Sequence, residues 1–242
     1  MGVAGAFRFA LHIISTVFLL IALCFTIASI LTPAWQVVDY EFLGELHHHG
    51  LWENCILGGP LTQQAGREDE WLCTFRDRPE VDYQPRFRGG KKADVEHDLQ
   101  DWHLIVLSLL CISAFFGGLA FLFAFISAFM DYCHYKRSLR VLMYLWIILE
   151  AVAVVLAGSA VAIFVKFSYE TKNRFIMQIT VRFEQRWGYS FWNAVASCCI
   201  YVVSFFLTLT TVLVTLAVVA RSKPDKHVNV KYSRGRYDGT TV

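Results

Sequence analysis

VLMYLWIILEAVAVVLAGSAVAIFV, residues Val141–Val165, carries one charged side chain, Glu150, and no proline. A helix rises 1.5 Å per residue, so about 20 apolar residues cross the roughly 30 Å of hydrocarbon in a bilayer. This run is long enough. Three further runs, Phe9–Leu31, His103–Met130 and Ser190–Ala220, hold no Asp, Glu, Lys or Arg and are also long enough. The whole chain of 242 residues is 56% apolar and 17% charged, with mean hydropathy +0.45, which lies outside the range of a soluble domain. Four transmembrane helices follow. A signal peptide's apolar region spans about 7–15 residues and ends in small residues. Phe9–Leu31 exceeds that length and stops at Leu31-Thr32-Pro33, so it is read as a retained span.

Basic residues in short segments set the orientation. Arg8 in segment 1–8, Lys136, Arg137 and Arg140 in segment 131–140, and Arg221, Lys223, Lys226, Lys231, Arg234 and Arg236 in segment 221–242 place those three segments and both termini in the cytoplasm. Lys166, Lys172, Arg174, Arg182 and Arg186 in segment 166–189 pull the other way but are outnumbered. Segments 32–102 and 166–189 are then extracellular loops.

The first loop contains just two of the seven cysteines. Cys24, Cys111, Cys133, Cys198 and Cys199 lie in spans or at the cytoplasmic face, where thiols stay reduced. An isolated pair in an oxidising compartment points to a Cys55–Cys73 disulfide, the alternative being two unpaired thiols.

Around that pair stand Trp35, then Gly50-Leu51-Trp52, then Cys55 and Cys73. In the first extracellular loop of a four-span chain this pattern resembles the signature of the claudin superfamily, which includes the claudins, the peripheral myelin proteins and the calcium-channel gamma subunits. Gly188-Tyr189-Ser190-Phe191, at the start of the fourth span, is similar to a stretch common in the latter two branches. Seventeen residues separate the cysteines, a wider gap than in claudins, and Gln100-Asp101-Trp102 lacks the arginine claudins carry before the second span. The chain thus resembles a divergent invertebrate branch, the nematode claudin-like proteins.

The resemblance implies a left-handed bundle of four helices carrying an antiparallel sheet, with about four strands from the first loop and one from the second. Trp35–Phe42 and Ile176–Phe183 alternate and are rich in aromatic and β-branched residues, so both are predicted to be strands.

Several residues invite a functional reading. Glu150 lies near the bilayer midplane, where a charged side chain costs about 3 kcal/mol or more unless hydrated or paired. It is either a recognition or ion-sensing residue or a hydrogen-bonded member of the bundle. Ser113 with Gly117, Ala114 with Gly118, Ala153 with Ala157, and Gly158 with Ala162 repeat small residues at four-residue spacing, which allows close helix packing. The first loop holds fourteen acids against seven bases in groups: Asp39, Glu41, Glu45 and Glu53 early, Asp94, Glu96, Asp98 and Asp101 late. Such groups either select ions as charged rings do or form a solvated surface. His47-His48-His49 could bind zinc or titrate at about pH 6.5, yet consecutive strand positions cannot all face one site, so it is read as solvated loop; no metal and no cofactor is expected. No phosphate loop, zincin motif or nucleophile elbow is present, so no enzyme activity is expected.

Thr240-Thr241-Val242 has the form of a ligand for PDZ domains, which bind by strand addition and carboxylate capture. The basic tail suits anionic membrane lipid. Cys133 matches a position where claudins are often palmitoylated, the alternative being a buried structural thiol. The resemblance implies a plasma-membrane protein of cell–cell contact, adhesion or paracellular barrier, self-associating in cis and across cells and bound to a PDZ scaffold protein. The second reading is an auxiliary subunit of an ion channel or receptor. Nothing suggests a nucleic-acid partner.

Overall fold

The computed structural model describes residues 3–40, 44–58, 71–75, 101–132, 136–178 and 184–221. Four helices dominate: α1 (Val3–Leu31), α2 (Asp101–Tyr132), α3 (Lys136–Gln178) and α4 (Tyr189–Arg221). Each contains a stretch long and apolar enough to cross a membrane, namely Gly5–Leu31, Trp102–Met130, Val141–Glu170 and Tyr189–Ala217. They form a ring in which α1 packs on α2 and α4, and α3 on the same two.

The distribution of side chains is that of a membrane protein. Phe115, Phe125, Phe129, Val155 and Phe206 stand exposed on the bundle's outside, while Ser15, Thr26, Ser113, Ser197, Ser204 and Thr208 are fully buried or nearly so. Exposed aromatics are stable against lipid tails, and the hydroxyls of Ser15, Thr26, Ser113, Ser197 and Ser204 each reach a backbone carbonyl. Thr26 donates to the Ala22 carbonyl in its own helix, Ser113 crosses to the Ala153 carbonyl of α3, and Ser197 of α4 crosses to the Ala22 carbonyl of α1. This is a multi-pass membrane protein.

The small-residue pairs largely serve this packing. Ala153 and Ala157 are buried, Gly117 makes room for the Tyr201 ring, and Gly158 faces Cys198. Gly118, by contrast, meets nothing within 4 Å.

One end of the bundle carries a sheet of five strands: β1 (Gln36–Tyr40), β2 (Glu45–His49), β3 (Glu53–Leu57), β4 (Leu72–Phe75) and β5 (Glu184–Trp187). Their order is β4-β3-β2-β1-β5, all antiparallel. Four strands lie between α1 and α2 and one between α3 and α4, as the claudin-like resemblance implies. β1 falls within the predicted strand Trp35–Phe42.

Two expectations are corrected. Ile176–Gln178 belong to α3, and the strand of the second segment lies later, at Glu184–Trp187. Alternation in Ile176–Phe183 favoured a strand, but Lys166, Glu170 and Arg174 recur at four-residue spacing, the spacing of one helix face. The helix therefore continues past its apolar run. His47-His48-His49 is not a solvated loop either: it forms most of β2 and is partly buried. Residues 179–183, Cys133, the basic tail with Thr240–Val242, and the charge groups at 76–100 lie outside the described residues.

Candidate functional site: the collar between sheet and bundle

The residues of the two sequence motifs converge where the sheet meets the helices. Trp35, immediately before β1, is fully buried; its indole Nε1–H donates to the Ser29 carbonyl in the last turns of α1 (2.8 Å), and its ring lies 4.7 Å from that of Phe164 on α3. Trp52, in the β2–β3 turn, donates to the neighbouring Ile30 carbonyl (2.9 Å). The two indoles thus satisfy carbonyls that the helix end would otherwise leave without a donor. Leu51 between them is fully buried.

The glycines are there because backbone passes through the space a side chain would take. A Cβ on Gly50 would stand 2.6 Å from the Glu53 carbonyl oxygen and 2.8 Å from Pro33 Cα, and one on Gly188 would run into the Ala34 carbonyl. Gly188 N–H donates to the Trp35 carbonyl (3.1 Å), and Ser190 N–H to that of Ala34 (3.0 Å). The Ser190 hydroxyl accepts from Ala34 N–H (3.0 Å) and sits 2.7 Å from the Thr32 hydroxyl. Phe191 packs its ring on Trp187 (4.0 Å) and Phe164 (5.5 Å), whereas Tyr189 points outward. Trp102 of α2 closes the cluster against Phe164 and Phe167.

This collar joins all four helices to the sheet. Sequence reasoning named Trp35, Trp52 and the two glycines as motif residues but assigned no role there to Ser29, Thr32, Trp102 and Phe164. Only the i, i+3 spacing of Ser29 and Thr32 at the helix end hinted at them. Farther out, the Cys55–Cys73 disulfide ties β3 to edge strand β4 at directly paired positions.

A family model named Clc-like matches residues 9–220, which takes in all four spans and both motifs. The chain belongs to the Clc-like family. It is similar to Clc-like protein 2 of Caenorhabditis elegans, 24% identical over 196 residues, covering 80% of this chain and 71% of the relative. The resemblance to a divergent, nematode-type claudin-like protein agrees with both findings.

In this Clc-like chain a second cluster lies deep in the bundle. Glu150 of α3 is fully buried, and the Ser204 hydroxyl of α4 donates to its Oε1 (2.5 Å) while lying 3.2 Å from the Ser15 carbonyl of α1. One turn before Glu150, Trp146 stacks on His12 of α1 with centroids 4.9 Å apart. His12 Nε2 lies 2.9 Å from the Ser127 hydroxyl and 3.1 Å from the Ala124 carbonyl on α2. Glu150 therefore points at neighbouring helices and not at lipid.

The charged surface at the sheet edge is simpler. Arg186 makes two parallel bonds to Glu184 (2.9 and 2.6 Å), and that guanidinium holds the Glu184 carboxyl below the usual carboxylate range. Glu45, grouped with the solvated acids by sequence, is instead buried beside His47.

Proposed function

We propose that this protein acts in cell–cell contact, as an adhesive or barrier-forming component of the plasma membrane. The observation that carries the reading is the sheet itself: five strands clamped to the bundle by Trp35, Trp52 and Ser190, disulfide-linked, with Trp71, just before edge strand β4, and Phe75 at its end exposed. A platform held so firmly suits repeated side-by-side and face-to-face association, because little ordering entropy is lost on binding. The disulfide supports an extracellular sheet, since such bonds persist in oxidising compartments. With two re-entries of the chain between them, both termini are then cytoplasmic. There Thr240-Thr241-Val242 engages a PDZ scaffold protein, the basic tail meets anionic lipid, and Cys133 carries a palmitoyl group. In this reading the protein has no catalytic role.

The auxiliary-subunit reading, favoured in sequence by Gly188–Phe191 and the Thr240-Thr241-Val242 end, used Glu150 as a contact to a channel or receptor. Its carboxyl faces Ser204 inside the bundle, which lends that reading no support.

The test is to express the tagged protein in non-adherent cells, mix them with untransfected cells, and image the surface. Enrichment only where two expressing cells touch is expected. A uniform distribution overturns the proposal. Deleting Val242 is expected to disperse the protein from contacts, and unchanged localisation would remove scaffold binding from the reading.

A further inference from the structure

The bundle turns a long apolar surface outward. On α2 the exposed side chains include Leu104, Ile112, Phe115, Leu122, Ile126 and Phe129, and on α3 they include Val141, Leu145, Ile148, Val152, Val155 and Val165. Spacings of three, four and seven residues put each set on one side of its helix, as a stripe facing lipid. Neither stripe is interrupted by an Asp, Glu, Lys or Arg, because Glu150 is buried and faces Ser204. At 1.5 Å per residue, Leu104–Phe129 is about 37 Å long and Val141–Val165 about 36 Å.

The stripes end at a common level beneath the sheet. Trp102, just ahead of the α2 stripe, has its ring 5.6 Å from that of Phe164 at the end of the α3 stripe, and Phe164 stacks on Phe191 of α4 at 5.5 Å. Exposed rings mark that level and the opposite one. Tyr169 of α3 and Tyr189 and Trp192 of α4 stand at the sheet end, and Tyr144 stands near the other end of α3. Such amphipathic rings settle among lipid headgroups. From Tyr144 to Tyr169 the helix covers about 37 Å, a second measure of the same length.

An ordinary bilayer has a hydrocarbon layer of about 30 Å. Stripes of about 36 Å fit within it only if both helices lean by about 34°, whereas transmembrane helices lean by about 20° on average. At 20° the stripes still stand about 34 Å tall. We propose that the lipid-facing surface of this protein is matched to a thick bilayer of long-chain, sterol-rich lipid, whose hydrocarbon layer of about 32–33 Å covers it almost completely. In the roughly 27 Å of an endoplasmic-reticulum membrane about 7 Å is left over, so thickness favours residence in the thicker membrane. The inference concerns the bundle alone and stands whichever role the sheet plays.

The test reconstitutes the full chain in phosphatidylcholine vesicles whose hydrocarbon thickness is stepped from about 27 to about 36 Å by acyl length. Thermal melting and polarised infrared spectroscopy read stability and helix tilt. The melting temperature is expected to peak at about 33–35 Å, with tilt growing in thinner vesicles. A peak at about 30 Å or below, or a level profile, overturns the proposal. Phe129→Lys combined with Val141→Lys changes two exposed positions flanking the short link between α2 and α3. It shortens both stripes by about one turn and is expected to move the peak about 3 Å toward thinner bilayers; an unmoved peak overturns the match. If that variant does not fold, sterol decides. Cholesterol added to the wild type in vesicles of about 30 Å thickens them and is expected to raise the melting temperature, and an unchanged or lower value overturns the proposal.

Discussion

Trp35 shows how one side chain can bind three parts of a membrane protein, with its N–H on the end of α1, its ring against α3 and its carbonyl taking the Gly188 N–H. Trp35→Phe keeps most of the ring and loses the donor, leaving the Ser29 carbonyl buried without it, which is expected to cost about 1–3 kcal/mol. Gly188→Ala forces Ala34 away and is expected to cost about 1–3 kcal/mol through overpacking. Thermal melts in detergent check both, and a Gly188→Ala protein as stable as the wild type would mean the collar is looser than described. Glu150→Gln retains an oxygen for Ser204 and is expected to fold and reach the surface normally; Glu150→Leu removes that partner and is expected to lose about 1 kcal/mol, as interhelical hydrogen bonds in membranes typically contribute. Surface expression measured beside melting separates the two. Glu184 gives the contrasting case. Its carboxyl is held low by Arg186, so the pair contributes only above the ordinary carboxylate pKa and is lost as pH falls through the depressed value. Because both groups are in water, Glu184→Gln is expected to leave the melting temperature unchanged at physiological salt from pH 7 down to pH 4.

At the scale of elements, the spans were legible because the bilayer demands long apolar runs with every backbone group satisfied internally. The end of α3 was not. Past Val165 the chain turns polar, and periodicity alone could not tell a solvated helix from a strand across Ile176–Phe183. Charge spacing carried the information, and it was outweighed by β-branched and aromatic content. The pairing of Cys55 with Cys73 was legible from compartment and count, and its placement on neighbouring strands was not. Cys73→Ser is expected to cost the sheet about 3 kcal/mol on the chain-entropy estimate while leaving the helices inserted. Limited proteolysis with and without reductant checks this, and equal resistance of both forms would show the sheet to be held by the collar alone.

For the whole molecule, the proposed orientation predicts that an Asn-x-Ser acceptor introduced within residues 59–70 is glycosylated and one within residues 222–230 is not. A mobility shift on glycosidase treatment reads both, and the reverse pattern would invert the topology. Composition and run length alone determined that this is a four-span membrane protein, because insertion into hydrocarbon is decided by local apolar length. The motif Trp35, Gly50-Leu51-Trp52 and Gly188–Phe191 was likewise visible in the chain, yet its meaning was not. Only the tertiary structure decided that these residues form a collar, that Glu150 faces the bundle interior, and that His47 and His49 share a face while His48 turns away. The first two depend on which helix lies opposite, and contacts such as Trp35 with Phe164 or Glu150 with Ser204 leave no periodic trace in the sequence; the third follows from strand alternation once the pairing of β2 makes the triplet a strand.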